Sequence, residues 1–266
     1  VRRRTVDTTN QTYYEVPNGG KLDALARILD METPGPTIVF CRTRQETNDL
    51  ADDLRLRGYA TDALHGDMNQ NERDRVLRRF KEGQSDLLVA TDVAARGLDI
   101  ETVTHVVNYD IPWDVEQYIH RIGRTGRAGR SGDAITLVTP RERVQLKNIE
   151  RMIGAEIKLK RIPTASDIAD RRKKQFLQQL VDAVEKNEYA AHLPAVEELI
   201  ERYPATDLAA AALSLLWKET HSAKSPEPEN LDDGQQPEMG MTRLFVGMGR
   251  SAGLRPGDLV GAITAE

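Results

Sequence analysis

Between His120 and Arg130 the chain reads HRIGRTGRAGR, four arginines in eleven residues with a glycine beside nearly every one. A guanidinium is permanently charged and its planar fork matches two phosphate oxygens at once, while neighbouring glycines let the backbone come close to a bulky ligand. The chemistry this predicts is binding of a polyanion. The segment DVEQYIHRIGRT predicts a helix starting near Asp114, which sets His120 and Arg124 four residues apart, and Arg121 and Arg124 three apart, on one stripe. A solvated basic face is the ordinary fate of a charge run, but such a helix has no reason to carry Gly123 and Gly126, each at a cost of about 1 kcal/mol. Phosphate binding is the stronger reading.

Four further segments carry related chemistry. TIVFCRTR ends an apolar run on Arg42, Thr43 and Arg44; HGDMNQNERDRV holds Gly66, Gln70 and Arg73; ATDVAARGLDI holds Thr91, Arg96, Gly97 and Asp99; VVNYDIP leads into the arginine segment. Guanidinium, amide and hydroxyl donors beside a glycine suit a nucleic-acid backbone better than a base sequence. Taken singly, each has an ordinary alternative. Asp99 could cap a turn, Thr91 could end a strand with its hydroxyl bonded locally, and Arg73 could belong to an exposed charged helix with Arg75, Arg78 and Arg79.

The elements that would position these residues follow from the hydrophobic pattern. From Gln11 to Thr139, short apolar runs (TYYEV, TIVFC, TDALHG, DLLVAT, THVVNY, AITLVT) alternate with amphipathic stretches such as KLDALARIL, RQETNDLADDLRLRG and NQNERDRVLRRFKEG. Strand, helix, strand, helix predicts an α/β fold, a parallel sheet with helices on both faces. DLLVAT and THVVNY lack strict alternation, as expected of strands covered on both sides. Ligands of such sheets gather at the carboxyl ends of the strands, where the polar, glycine-bearing segments stand here. Cys41 and Met68 are expected in packing positions, as is Met152, and Trp113 is expected to cover the sheet edge.

After about Pro163 the pattern turns helical. Phe176, Leu177, Leu180, Val181 and Val184 share one face, Val196, Leu199 and Ile200 another, and Leu208, Ala212, Leu213, Leu215 and Leu216 a third. Three short helices make a poor core alone and need the body of the protein or a second copy. Residues 220–240 are rich in Pro, Glu, Ser and Gln and are expected to be a linker, and 241–266 resemble a truncated β-rich unit. Residues 1–165 hold 26 basic and 25 acidic side chains, against 11 and 17 in 166–266, so the acidity lies away from the arginine segments. One cysteine excludes a disulfide framework, the five histidines show no metal-ligand spacing, and no run approaches a membrane span or a secretory signal. A soluble, cytoplasmic protein is expected, and the Val1-Arg2-Arg3-Arg4 opening suggests a piece of a longer polypeptide.

In their order and spacing, IVFCRTR, QNER, ATDVAARGLDI and HRIGRTGR resemble the motifs of the second RecA-like domain of DEAD-box RNA helicases, over roughly residues 10–160. The resemblance implies that the domain closes over ATP held by a first RecA-like domain, and that both grip one RNA strand. Arg124 and Arg127 would then be arginine fingers at the γ-phosphate, His120 and Arg121 would couple the helix to the acidic motif of the first domain, and Gly97 and Asp99 would meet the nucleotide, Asp99 at the ribose. Arg42, Thr43, Gly66, Gln70, Arg73, Thr91 and Arg96 would bind RNA phosphates and 2′-hydroxyls. The sequence holds no GxxxxGK[ST] loop, no DEAD tetrapeptide and no SAT motif, so Mg²⁺ would be held by the first domain and this chain alone would be inactive. Residues 165–219 resemble the dimerisation region of bacterial cold-shock-type DEAD-box helicases, and 241–266 the start of their RNA-binding domain. The implied organisation is a RecA-like domain over 1–164, a homodimerising helical domain over 165–219, a linker and a cut-off third domain. The alternatives are a non-catalytic scaffold that binds RNA and dimerises, and a related DNA motor.

Overall fold

Every strand of the sheet runs in one direction. Seven strands, β1 (Thr9–Glu15), β2 (Thr37–Cys41), β3 (Thr61–Leu64), β4 (Leu87–Thr91), β5 (His105–Asn108), β6 (Gly132–Val138) and β7 (Lys158–Lys160), stand in the order β3-β4-β2-β5-β6-β1-β7. All their pairings are parallel, as the alternating pattern predicts. The structure, a computed structural model, describes residues 9–96, 98, 100, 102–127 and 129–221, without the side chains of 218–221. The described residues all belong to one compact unit. The expected third domain and nearly all of the expected linker lie outside the described residues.

The connecting helices are α1 (Lys21–Glu32), α2 (Arg44–Leu56), α3 (Gln70–Lys81), the single turn α4 (Asp92–Ala95), α5 (Val115–Ile122) and α6 (Arg143–Ile153). Their starts are written locally. Thr43 with Glu46 and Asn69 with Glu72 form capping boxes at α2 and α3, each satisfying backbone donors at both ends of the motif. The central strands are buried on both faces: in β2, Val39 and Cys41 enter one hydrophobic cluster with Leu25, Leu50 and Leu54, while Ile38 and Phe40 enter the opposite one with Leu64, Phe80 and Leu88. Two-sided burial is the reason these runs are uniformly apolar. Cys41 is a core residue, as expected, whereas Met152 is 61 % exposed and does not pack.

Strand β7 was not legible in the pattern. Its three residues, Lys-Leu-Lys, are all exposed on the sheet edge, where pairing through the backbone leaves no apolar signature.

Three helices follow, α7 (Ala165–Glu185), α8 (Leu193–Ile200) and α9 (Ala205–His221), the last running slightly into the stretch expected as linker. Thr164 and Asp167 cap α7, and Arg172 pairs with Asp30 of α1 at 2.6 Å, tying its first half to the RecA-like body. Phe176 and Trp217 meet edge to face at 5.4 Å, joining α7 to α9. Beyond that, the stripe is bare: Leu177, Val181, Val184, Leu199, Ile200 and Leu215 are all more than two-fifths exposed.

Candidate functional site

The sheet register brings three strand ends together. Cys41 lies opposite Thr91, and Phe40 opposite both Ala90 and Asn108, so the segments that follow β2, β4 and β5 leave the sheet side by side. This is the place where strand order reverses in an open parallel sheet and where a ligand cleft forms.

Helix α5 is capped by Asp114, whose Oδ1 accepts the Gln117 N–H at 2.8 Å, and ends at Ile122. The expected helix through Thr125 is therefore too long. Gly123 caps its end and Gly126 takes a φ of 66°, left-handed geometry that favours glycine. The glycines stop the helix rather than weaken it. Arg124 and Arg127 consequently stand on a loop, not on the helical stripe with His120.

That loop is held from beneath. Thr125 is 1 % exposed, and its hydroxyl donates to the Thr104 carbonyl at 2.7 Å with the Val103 carbonyl at 2.9 Å. Arg124 Nη1 donates to the Leu98 carbonyl at 2.7 Å, and Arg127 Nε to the Gly123 carbonyl at 2.9 Å. Both guanidinium groups are thereby restrained, and both residues are half-buried.

Arg121 behaves differently. Expected to reach another domain, it is turned inward and 3 % exposed, with Nε and Nη2 on the two carboxylate oxygens of Asp92, Nη1 on the Asp110 carbonyl at 2.6 Å and on Asn108 Oδ1 at 3.2 Å, and its plane over Phe40. A charge this buried is tolerated because every donor face has an acceptor. Arg121 thus bolts α5 to the ends of β4 and β5, and its neighbour His120 is left exposed. Asp92, Arg96, Gln117, His120, Arg121 and Arg124 line a cleft of about 220 Å³ at this edge.

The residues expected on RNA lie along the same edge. Arg42 is exposed directly after β2, and its backbone N–H donates to Asp110 Oδ2 at 3.0 Å. Thr43 spends its hydroxyl in the α2 capping box, 2.9 Å from Glu46 Oε2. Arg44 pairs with Asp67, beside Gly66, where an added Cβ would meet no protein atom within 4 Å. Gln70 is exposed in the first turn of α3. Arg73 Nη2 donates to the Ala94 carbonyl at 3.0 Å, joining α3 to the segment after β4. Thr91 is buried at the end of β4 without a side-chain capping bond, and Arg96 is exposed. Gly97 and Asp99 lie outside the described residues.

Sequence reasoning passed over the acids that organise this edge. Asp110 accepts from Lys21 Nζ at 3.1 Å as well as from Arg42, and Lys21 also reaches Glu142 at 3.2 Å. The available signal was position: Asp92 and Asp110 follow apolar strands almost directly, at the edge where ligands bind. Burial, with Asp110 and Glu46 nearby, pushes the Cys41 thiol well above its ordinary range, which favours the neutral form. Among the described residues no group of three His, Cys, Asp or Glu is arranged to hold a metal ion, and no helix is long and apolar enough to cross a membrane.

Two family models match the chain: the helicase conserved C-terminal domain over residues 20–129, and the RNA helicase DeaD dimerization domain over 163–229. Among curated proteins, the DEAD-box ATP-dependent RNA helicase CshA of Geobacillus kaustophilus is 44 % identical over 219 residues, covering 82 % of this chain and 47 % of that protein. The RNA helicase CrhR of Synechocystis is 42 % identical over 246 residues, covering 91 % of this chain and 49 % of its own length. The chain thus spans about half the length of the curated relatives it matches. Among solved structures, the E. coli DEAD-box protein SrmB bound to RraA aligns at TM-score 0.56 and 39 % identity, over 60 % of this chain and 93 % of that one. Dbp5 of S. cerevisiae bound to RNA and ADP BeF3 aligns at TM-score 0.58 and 38 % identity, over 65 % of this chain and 46 % of that one.

Proposed function

This chain belongs to the DEAD-box RNA helicases and carries their C-terminal helicase domain, and from that premise we propose that it supplies one wall of an ATP site and half of an RNA grip. The observation that carries the reading is the loop after α5, where buried Thr125 anchors the backbone, Arg124 lines the cleft and Arg127 follows on the same loop, its Nε bonded to the Gly123 carbonyl.

The other wall belongs to a first RecA-like domain that this chain does not contain. ATP bound there, with its Mg²⁺, would meet Arg124 and Arg127 on domain closure. Two guanidinium groups at the γ-phosphate stabilise the charge of phosphoryl transfer, and a finger of this kind is worth about 10³ to 10⁵ in rate. Asp99 would accept from the ribose hydroxyls, with Gly97 beside it. His120, exposed on the last turn of α5, would face the first domain. Arg121 would act through the loop it holds, as a positioning residue.

Arg42, Thr43, Gly66, Gln70, Arg73, Thr91 and Arg96 would hold one RNA strand by its phosphates and 2′-hydroxyls. Arg73 bonds the segment that carries Arg96, which gives RNA contact a short covalent and hydrogen-bonded route to Asp92 and hence to Arg121. Closure driven by ATP would bend the bound strand and release its complement. The dimerization domain would pair two copies through the bare stripes of α7 to α9, and the full-length protein would work in the cytoplasm as a homodimeric, RNA-dependent ATPase.

Substitution tests the assignment. In the full-length protein, Arg124→Ala or Arg127→Ala should cut RNA-stimulated turnover by at least about 10³-fold, with nucleotide affinity largely kept. An equal loss of nucleotide affinity would make these arginines ground-state ligands instead.

A further inference from the structure

Trp113 is 69 % exposed at the strand-end edge, between the end of β5 and the start of α5. Large aromatics are seldom left so bare without a use, because covering an indole releases more apolar surface from water than covering most other side chains. This one is held in place. Its backbone N–H donates to Gln117 Oε1 at 3.2 Å, and its carbonyl accepts from Gln145 Nε2, a bond shared with the Pro112 carbonyl at 3.2 Å. The guanidinium carbon of Arg42 lies 4.7 Å from its ring centroid. An arginine over an indole face is a cation–π pair, and it fixes the ring's plane beside a cation suited to a phosphate.

We propose that Trp113 is a stacking platform for one unpaired base of the RNA strand whose backbone Arg42 grips. The inference rests on the RNA role of Arg42 set out above. Arg42 lies over the ring, and the residue is still more than two-thirds exposed. A phosphate at the guanidinium would set its own nucleotide, or the next, beside an indole, and a flat base covers an aromatic face whatever its identity. The partner is chosen by charge: a positive group is mounted on the ring itself, which suits a polyanion with flat apolar bases and disfavours a purely apolar protein surface. Glu142 Oε1, 3.9 Å from Arg42 Nη2, supplies a competing acceptor that an RNA phosphate would displace or share.

Stacking and phosphate contact can be separated in one experiment. Affinities of this chain and of its Trp113→Ala, Trp113→Phe and Arg42→Ala variants are measured for single-stranded RNA and for the same strand carrying abasic sites. Trp113→Ala should lose about tenfold on the base-bearing strand and little on the abasic strand, Trp113→Phe should recover most of the loss, and in a Trp217→Phe background RNA should quench the remaining indole fluorescence. Equal loss on both strands would mean that the ring only positions Arg42, and no loss on either would assign it to another partner, such as the first RecA-like domain; both overturn the proposal. If Arg42→Ala also leaves affinity intact, the fault lies in the RNA reading of this edge rather than in the stacking alone.

Discussion

Arg121 and Asp92 face one another as a two-pronged pair, Nε to Oδ1 at 2.6 Å and Nη2 to Oδ2 at 2.7 Å, across the gap between α5 and the end of β4. The arginine is almost fully buried and the carboxylate about a quarter exposed, so removing one partner leaves a charge with no adequate acceptor or donor. Arg121→Ala should cost about 3–5 kcal/mol of stability, read from the shift of the urea unfolding midpoint. Arg121→Lys should recover only part of it, because an ammonium cannot reproduce the fork. A loss below about 1 kcal/mol, the level of an exposed pair, would show that the pair does not hold the loop.

Gly132 begins β6 directly under the arginine loop. A Cβ there would overlap the Thr125 hydroxyl and stand 2.5 Å from the Gly126 nitrogen, so Gly132→Ala must push the loop outward. Overpacking of this kind costs about 1–3 kcal/mol, and displacement of the loop should lower turnover in the full-length protein further than the melting shift accounts for. Unchanged melting and turnover would mean the loop is not seated where these contacts put it.

His105 lies at the opposite end of β5, among Asp133, Glu32 and Lys160. Burial lowers its pKa below the ordinary 6.5, and Asp133 and Glu32 only partly offset that. The unfolded chain therefore binds a proton at pH values where the folded chain does not, so this residue's contribution is complete above about pH 6.5 and declines as pH falls toward the folded value. His105→Gln should flatten the stability profile below pH 6.5 relative to the parent chain. Parallel profiles would remove His105 from the account.

The stripe on α7 exposes Leu177 at 44 %, Val181 at 48 % and Val184 at 63 %. If two copies bury it, sedimentation of the chain should give a dimer, and Leu177→Glu with Val181→Glu should give a monomer whose RecA-like core melts at an unchanged midpoint. A monomer at tens of micromolar in the parent chain would contradict the dimer.

The parallel sheet, its two-sided burial and the three trailing helices were legible because uniform apolar runs and helical stripes record which faces are covered. The segments at the site were legible too, since guanidinium, hydroxyl and glycine clusters follow the strands where such folds place ligands. Three features were not. Strand β7 pairs only through backbone at an exposed edge. The end of α5 at Ile122 depended on Gly123 and Gly126 acting as stops, and glycine spacing alone does not separate a stop from a ligand approach. The inward turn of Arg121 depended on Asp92, Asn108 and Asp110, acceptors from two other strand ends that only the sheet register brings together.

The central claim is that Arg124 and Arg127 complete an ATP site whose other wall lies in a separate RecA-like domain. RNA-stimulated ATP hydrolysis by the purified chain, measured alone and then joined to the first RecA-like domain of the same protein, tests it most directly. The account predicts no hydrolysis above background from the chain alone and RNA-dependent turnover from the joined protein. Turnover by the chain alone, or a joined protein that binds ATP and RNA yet turns over equally well with both arginines replaced by alanine, would contradict it.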